Sequence, residues 1–186
     1  MPYVSRAGTK LEHALKHFDL DVAGQTCADF GSNTGGFVDC LLQFGASKVY
    51  AVETGYGVLD WKLRNDPRVV IMERTNAMHI ALPEKVDLIS IDVSWTRLEN
   101  IIPNALKNLK FDGQMIALLK PHYEANPKLL RKGRLPEDAM AEILVNVKTA
   151  VQKLGVEILN IIESPIVGEK GKNREYLLHL KRSDTV

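Results

Sequence analysis

Apolar residues along this chain follow two alternating spacings. Runs at 27–30, 48–52, 69–72, 86–91, 114–119, 156–162 and 175–180 are β-rich or nearly continuously apolar, the pattern of strands covered on both faces. Between them, apolar positions recur at helical spacing: Leu11, Ala14, Leu15 and Phe18 early on, then Val38, Leu41, Leu42 and Phe44. Further helices are predicted at 61–64, 98–109 and 137–154, the last opened by Pro136. Strand and helix in alternation predict an α/β fold, a doubly wound sheet whose ligands sit outside the carboxyl ends of its strands. If the last two strands form a hairpin and the first of them is parallel to the rest, the second runs antiparallel, and Glu175 starts at the ligand-bearing edge.

Polar residues at the predicted strand ends define a candidate site. The stretch Cys-Ala-Asp-Phe-Gly-Ser-Asn-Thr-Gly-Gly-Phe, 27–37, reads as a strand, a glycine loop and the start of a helix. Glycine suits such a loop because a Cβ would obstruct both positive φ angles and the close approach of a flat ligand. The loop lacks the Gly-Lys-Ser/Thr of a phosphate-cradling turn and has Gly-x-x-x-Gly-Gly in place of the dinucleotide Gly-x-Gly-x-x-Gly. Asp29, two residues before the first glycine, suits a ligand with an amino group and no phosphate, which points to S-adenosylmethionine. The expected cofactor-binding residues are Asp29, Gly31, Ser32, Asn33, Thr34, Gly35, Gly36 and Phe37, with Glu53 at the next strand end accepting from ribose hydroxyls. Asn76, after the third strand, is a candidate for the adenine edge, although a turn amide explains it equally well. Asp92 and Lys120 end the fourth and fifth strands at the same edge, and Asp92 is also expected to bind the cofactor.

Composition narrows the partners. The 186 residues suit one domain, 1–186, with an N-terminal helix region at 1–20 and the sheet and its covering helices at 21–186. Lys plus Arg number 24 and Asp plus Glu 23, so nucleic-acid binding has to come from local patches. Two such patches occur, Lys128, Arg131, Lys132 and Arg134, then Lys170, Lys172 and Arg174. Cys27 and Cys40 fall at core positions and are expected to be reduced thiols in a cytoplasmic protein. No run approaches the ~18 apolar residues of a membrane helix, so no membrane association is expected. His13 and His17 stand one helical turn apart with no Glu or Cys beside them, and no metal is expected.

Seven motifs together resemble one family: Tyr3-Val4-Ser5-Arg6-x-Gly8-x-Lys10-Leu11, the loop 31–37, Gly55-Tyr56-Gly57-x-Leu59, Glu73-Arg74-Thr75-Asn76, Asp92-Val93-Ser94, Lys120-Pro121 and Asn173-Arg174-Glu175-Tyr176-Leu177. The chain is similar over nearly its whole length to the hemolysin A (TlyA) branch of the FtsJ-like ribose 2′-O-methyltransferases. That resemblance implies a Rossmann-like, seven-stranded methyltransferase sheet, S-adenosylmethionine as methyl donor, and ribosomal RNA or a ribosomal subunit as substrate. It also implies a catalytic tetrad of Lys10, Asp92, Lys120 and Glu175, which the strand-end reading had already placed together in part, and RNA contacts from Arg6 and the two basic stretches. Family members usually carry a small RNA-binding module ahead of this domain, and the chain is expected to represent the catalytic domain without it. Ala7, His122-Tyr123 and Glu53 depart from the residues usual there, and no tetrad position is lost.

Two other classes are weighed against this one. A dinucleotide-dependent oxidoreductase needs the other glycine spacing. A membrane-lytic protein needs a spanning or strongly interfacial segment, whereas the best amphipathic helix, 143–154, has the apolar face that covering a sheet requires.

Overall fold

The computed structural model describes residues 1–168 and 172–183. Seven strands form one sheet: β1 (Thr26–Phe30), β2 (Lys48–Val52), β3 (Val69–Met72), β4 (Val86–Ile91), β5 (Leu109–Leu119), β6 (Val156–Glu163) and β7 (Tyr176–Arg182), in the order β3-β2-β1-β4-β5-β7-β6. The first five pair in parallel, and β7 is antiparallel to both neighbours. The hairpin expected at the end of the chain therefore forms. Its second strand inserts between β5 and β6, which brings the β6–β7 loop back over the carboxyl edge.

The helices are α1 (Ala7–His17), α2 (Gly36–Gln43), α3 (Trp61–Arg64), α4 (Leu98–Asn108), α5 (Pro121–Glu124) and α6 (Glu137–Gln152). Alternate strand residues feed two cores, and this is why the strands read as continuous apolar runs. Cys27, Val49, Leu88, Ile116 and Leu118 pack under α1 and α2 through Leu11, Leu15, Val38 and Leu41. Phe30, Val52, Ile89, Met115 and Ala117 pack on the other face against α4 and α6 through Ile101, Ile102, Ile143 and Val147. Cys27 and Cys40 are buried free thiols, each pushed up to about 12 mainly by burial.

Several boundaries differ from the sequence expectation by a residue or two, and one by more. β5 starts at Leu109, not 114, so α4 runs straight into it. Asp112-Gly113 looks like a turn, yet Gly113 is where another backbone comes close: an added Cβ would fall 2.9 Å from the Asp87 carbonyl oxygen. At the other end of the chain, Glu175 lies one residue ahead of β7. No helix among the described residues is long and apolar enough to cross a membrane.

Candidate active site

Two cavities meet at the carboxyl edge of the sheet. The first, about 500 Å³, is bounded by Asp29, Asn33, Glu53, Asn76, Asp92 and Lys120, among others. The second, about 420 Å³, is bounded by Arg6, Lys10, Lys120, Tyr123, Gly168 and Glu175, among others. Lys120 borders both and stands at their junction, with Ser5, Asn33, Thr34 and Trp95.

The glycine loop is held against β2. Gly31 and Ser32 both donate their backbone N–H to the Val52 carbonyl, at 2.9 and 3.0 Å. Gly31 and Gly35 have φ of +90° and +102°, which makes a Cβ at either unfavourable. Gly36 is demanded by something else: a Cβ there would lie 2.3 Å from Ser5 Oγ and 2.9 Å from the Gly8 backbone nitrogen. The N-terminal segment, tied down by Val4 N–H donating to Asp39 Oδ2 at 2.9 Å, lies directly on the loop and forms one wall of the first cavity. Sequence reasoning placed Lys10 in the site and did not foresee Ser5 or Ala7 as its wall.

Carboxylates mark the ends of the first cavity. Asp29 is buried and accepts from Ser90 Oγ at 2.7 Å. Burial pushes its carboxyl up to about 8, with the Ser90 hydrogen bond opposing and the neighbouring Asp92 and Glu53 charges adding to the rise. Glu53 accepts from Asn33 N–H at 2.9 Å through one oxygen and from Gly55 N–H at 2.8 Å through the other, so it joins the glycine loop to the turn after β2. Asn76 reaches the cavity while its Oδ1 accepts from Met78 N–H at 2.9 Å, which leaves its amide NH₂ as a donor. The wall behind it is held from α4: Asn104 Nδ2 donates to the Ala77 and Ile80 carbonyls, and Asn108 Oδ1 accepts from Leu82 N–H.

The four residues proposed as a tetrad form two ion pairs. Lys120 Nζ lies 2.6 Å from Asp92 Oδ1 and donates to the Val93 carbonyl at 3.2 Å. Lys10 Nζ lies 2.5 Å from Glu175 Oε2. All four border the cavities. Beside them is a feature that sequence reasoning missed. Trp95 is 81 % exposed, has a left-handed backbone with φ 62°, and its ring centroid lies 4.9 Å from that of Tyr123. The only available signal was a large apolar residue directly after the Asp-Val-Ser motif.

The expected RNA contacts divide. Lys128, Arg131, Lys132, Arg134 and Lys172 are exposed. Arg6 borders the second cavity and donates to the Val167 carbonyl. Arg174 is engaged by Glu137 at 2.9 Å and Glu163 at 3.7 Å, so a phosphate would have to compete with two carboxylates. Lys170 lies outside the described residues.

A mostly parallel sheet with an antiparallel β7, a glycine loop after β1 and acidic strand ends around one cleft defines the S-adenosylmethionine-dependent methyltransferase class of α/β enzymes. The chain belongs to the FtsJ-like methyltransferase family, whose model matches residues 3–182. It is 39% identical over 184 residues to the 16S/23S rRNA (cytidine-2'-O)-methyltransferase TlyA of Mycobacterium tuberculosis, covering 96% of this chain and 68% of that one. It is 42% identical over 186 residues to Hemolysin A of Brachyspira hyodysenteriae, covering 95% of this chain and 76% of the relative. Among solved structures, a hemolysin candidate from Streptococcus thermophilus superposes with a TM-score of 0.94 at 39% identity, over 99% of this chain and 68% of that chain.

Proposed function

We propose that the protein transfers a methyl group from S-adenosylmethionine to the 2′ hydroxyl of a ribose in ribosomal RNA. The residues present suit that donor. The first cavity is of the size small-molecule sites commonly have, a few hundred Å³. Asp29 supplies a carboxyl whose burial a ligand ammonium would offset, and Glu53 has lone pairs left for ribose hydroxyls beyond the two backbone donors it already accepts. Asn76 offers its amide NH₂ to a heterocycle acceptor. Asp92, at the end of β4, closes the cavity toward Lys120. S-adenosylmethionine, when bound, supplies a methyl group already activated by its sulfonium, so the protein's task is to place the accepting oxygen.

The observation that carries this reading is the position of Lys120 at the junction of the two cavities. An ammonium has three donors, and the Asp92 carboxylate and the Val93 carbonyl take two of them, leaving one for the ribose oxygen. Methyl transfer to that oxygen would break the donor's S–C bond as the O–C bond forms, and the hydroxyl proton would pass to the Asp92 carboxylate and then to water. Lys10 and Glu175, paired on the far wall of the second cavity, hold the β6–β7 loop and α1 at a fixed distance around the nucleotide. The exposed Trp95 ring at the cavity rim offers a face on which the target base stacks.

Lys120→Ala should fold, bind S-adenosylmethionine and fail to methylate RNA. Calorimetric titration and mass spectrometry of ribosomal RNA read the two properties separately. A folded Lys120→Ala protein that methylates at a near wild-type rate would overturn the assignment.

A further inference from the structure

Residues 131–134 form a two-residue hairpin of unusual make-up. Arg131 N–H donates to the Arg134 carbonyl at 2.9 Å and Arg134 N–H to the Arg131 carbonyl at 3.1 Å, so both bonds of a closed hairpin are made. The two central residues, Lys132 and Gly133, have φ of 52° and 77°. Positive φ at both positions is the type I′ geometry, which favours Asn, Asp or Gly at the first of them. Lysine there occupies an unfavourable backbone region that its surroundings must hold, and such strain gathers at functional positions.

The hairpin is basic, exposed and uncommitted. Arg131, Lys132 and Arg134 are all exposed, and among the described residues none of the three pairs with a carboxylate. Arg174, close by in the chain to its anchor, is by contrast neutralised by Glu137 and Glu163.

That anchor is Asn173, a 5 % exposed side chain that uses both ends of its amide on the hairpin. Its Oδ1 accepts from Leu135 N–H at 3.0 Å, and its Nδ2 donates to the Gly133 carbonyl at 2.9 Å. Its own carbonyl accepts from Gly168 N–H at 2.9 Å. Gly168 in turn lies against the tetrad, where an added Cβ would fall 2.7 Å from Glu175 Oε1. Asn173 precedes Glu175 by two residues, a span of at most about 7 Å of chain. One buried amide thus links a cationic turn to the loop that packs on Glu175.

We propose that this hairpin is a fixed basic finger that grips the phosphates of the RNA strand beside the target ribose, and that Asn173 is the residue positioning it. Phosphate contacts carry no sequence information, but they set the register and orientation of the strand. A rigid finger tied to Glu175 sets which ribose enters the second cavity, whereas cations on mobile side chains would only hold RNA nearby. The inference rests on the RNA reading above.

The test separates charge from anchorage. In the triple variant Arg131→Gln, Lys132→Asn, Arg134→Gln, asparagine suits the first central position, so the turn is kept while three charges are removed. Binding of a mixed-sequence single-stranded RNA oligonucleotide, measured against salt, should weaken, and the slope of log affinity on log salt should become shallower by about 2, from roughly 0.7 per lost contact. The thermal midpoint should not fall, since asparagine relieves the backbone at position 132, and S-adenosylmethionine affinity should stay at the wild-type value. Asn173→Ala keeps every charge and should also weaken RNA binding. Added to the triple variant it should weaken binding no further, because it acts through the hairpin, and a purely structural role would give additive losses. An unchanged salt slope in the triple variant overturns the proposal, as does additivity with Asn173→Ala. Hairpin-dependent binding to anionic phospholipid vesicles with none to RNA also overturns it. If the wild type binds the oligonucleotide through the hairpin but methylates no ribose, the functional reading fails and the finger stands.

Discussion

The ammonium of Lys10 lies 2.5 Å from a carboxylate oxygen of Glu175, across 165 positions of chain, and the two side chains are 8% and 4% exposed. A pair so buried is weak evidence of stability in itself, since desolvation offsets its attraction, but removing one partner strands the other. Lys10→Met should therefore lower stability by about 3–5 kcal/mol in urea unfolding. The double variant Lys10→Met, Glu175→Leu should recover most of that loss and still methylate no RNA. A single variant that unfolds at the wild-type midpoint would show that the pair is not buried in solution.

Asp29 makes stability fall as pH rises. Its folded-state carboxyl is raised to about 8 by burial, whereas in an unfolded chain it titrates near the ordinary ~3.9. Between those values the folded state binds the extra proton, so its contribution is fully present below about pH 4 and is lost as pH climbs to about 8. Asn in its place has no proton to lose. The stability of Asp29→Asn relative to wild type should rise from pH 5 to pH 8, and a constant difference would refute the linkage. Binding of S-adenosylmethionine at pH 7 should release protons in the wild type alone, read by calorimetry in buffers of different ionisation enthalpy.

Trp95 should matter to RNA and not to the cofactor. Stacking of a base on an aromatic ring is worth about 1–3 kcal/mol, so Trp95→Ala should raise the KM for RNA by roughly 5- to 150-fold. Trp95→Gly should do the same while slightly raising the thermal midpoint, because it relieves the left-handed backbone at φ 62°. Wild-type kinetics in either variant would remove Trp95 from the site.

Gly36→Ala tests the N-terminal wall. The new methyl would meet Ser5 Oγ at 2.3 Å and the Gly8 nitrogen at 2.9 Å, so the segment has to move off the loop. Overpacking of this kind costs about 1–3 kcal/mol, and cofactor affinity should fall with it. Undiminished S-adenosylmethionine binding would mean that the segment is not part of that cavity's wall.

Much of this site was legible before any tertiary contact was known. Asp29, Glu53, Asp92 and Lys120 could be brought together because each closes an apolar run, and in a parallel sheet the carboxyl ends of the strands share one edge. Glu175 joined them through one further step, the antiparallel sense of the last strand. The helices followed from spacings of three to four residues, which helix geometry imposes on an element that buries one face, and the strands from nearly continuous apolar runs, which burial of both faces imposes. The glycines at 31 and 35 were correctly read as conformational.

Other features depend on residues that share no local pattern. How the tetrad divides into Lys10 with Glu175 and Lys120 with Asp92, the insertion of β7 between β5 and β6, and the wall that makes Gly36 necessary are decided by segments that meet only when α1, the glycine loop and the β6–β7 loop converge. The need for glycine at 113 and the place of Trp95 left no local signal for the same reason: one is set by a neighbouring carbonyl, the other by a cavity. Asn173 is the plainest case. Its sequence neighbours mark it as a loop residue, and only the fold puts its amide on the Arg131–Arg134 turn. Periodicity reports which way a side chain faces, because that is a property of its own backbone; what it faces is a property of the packed chain.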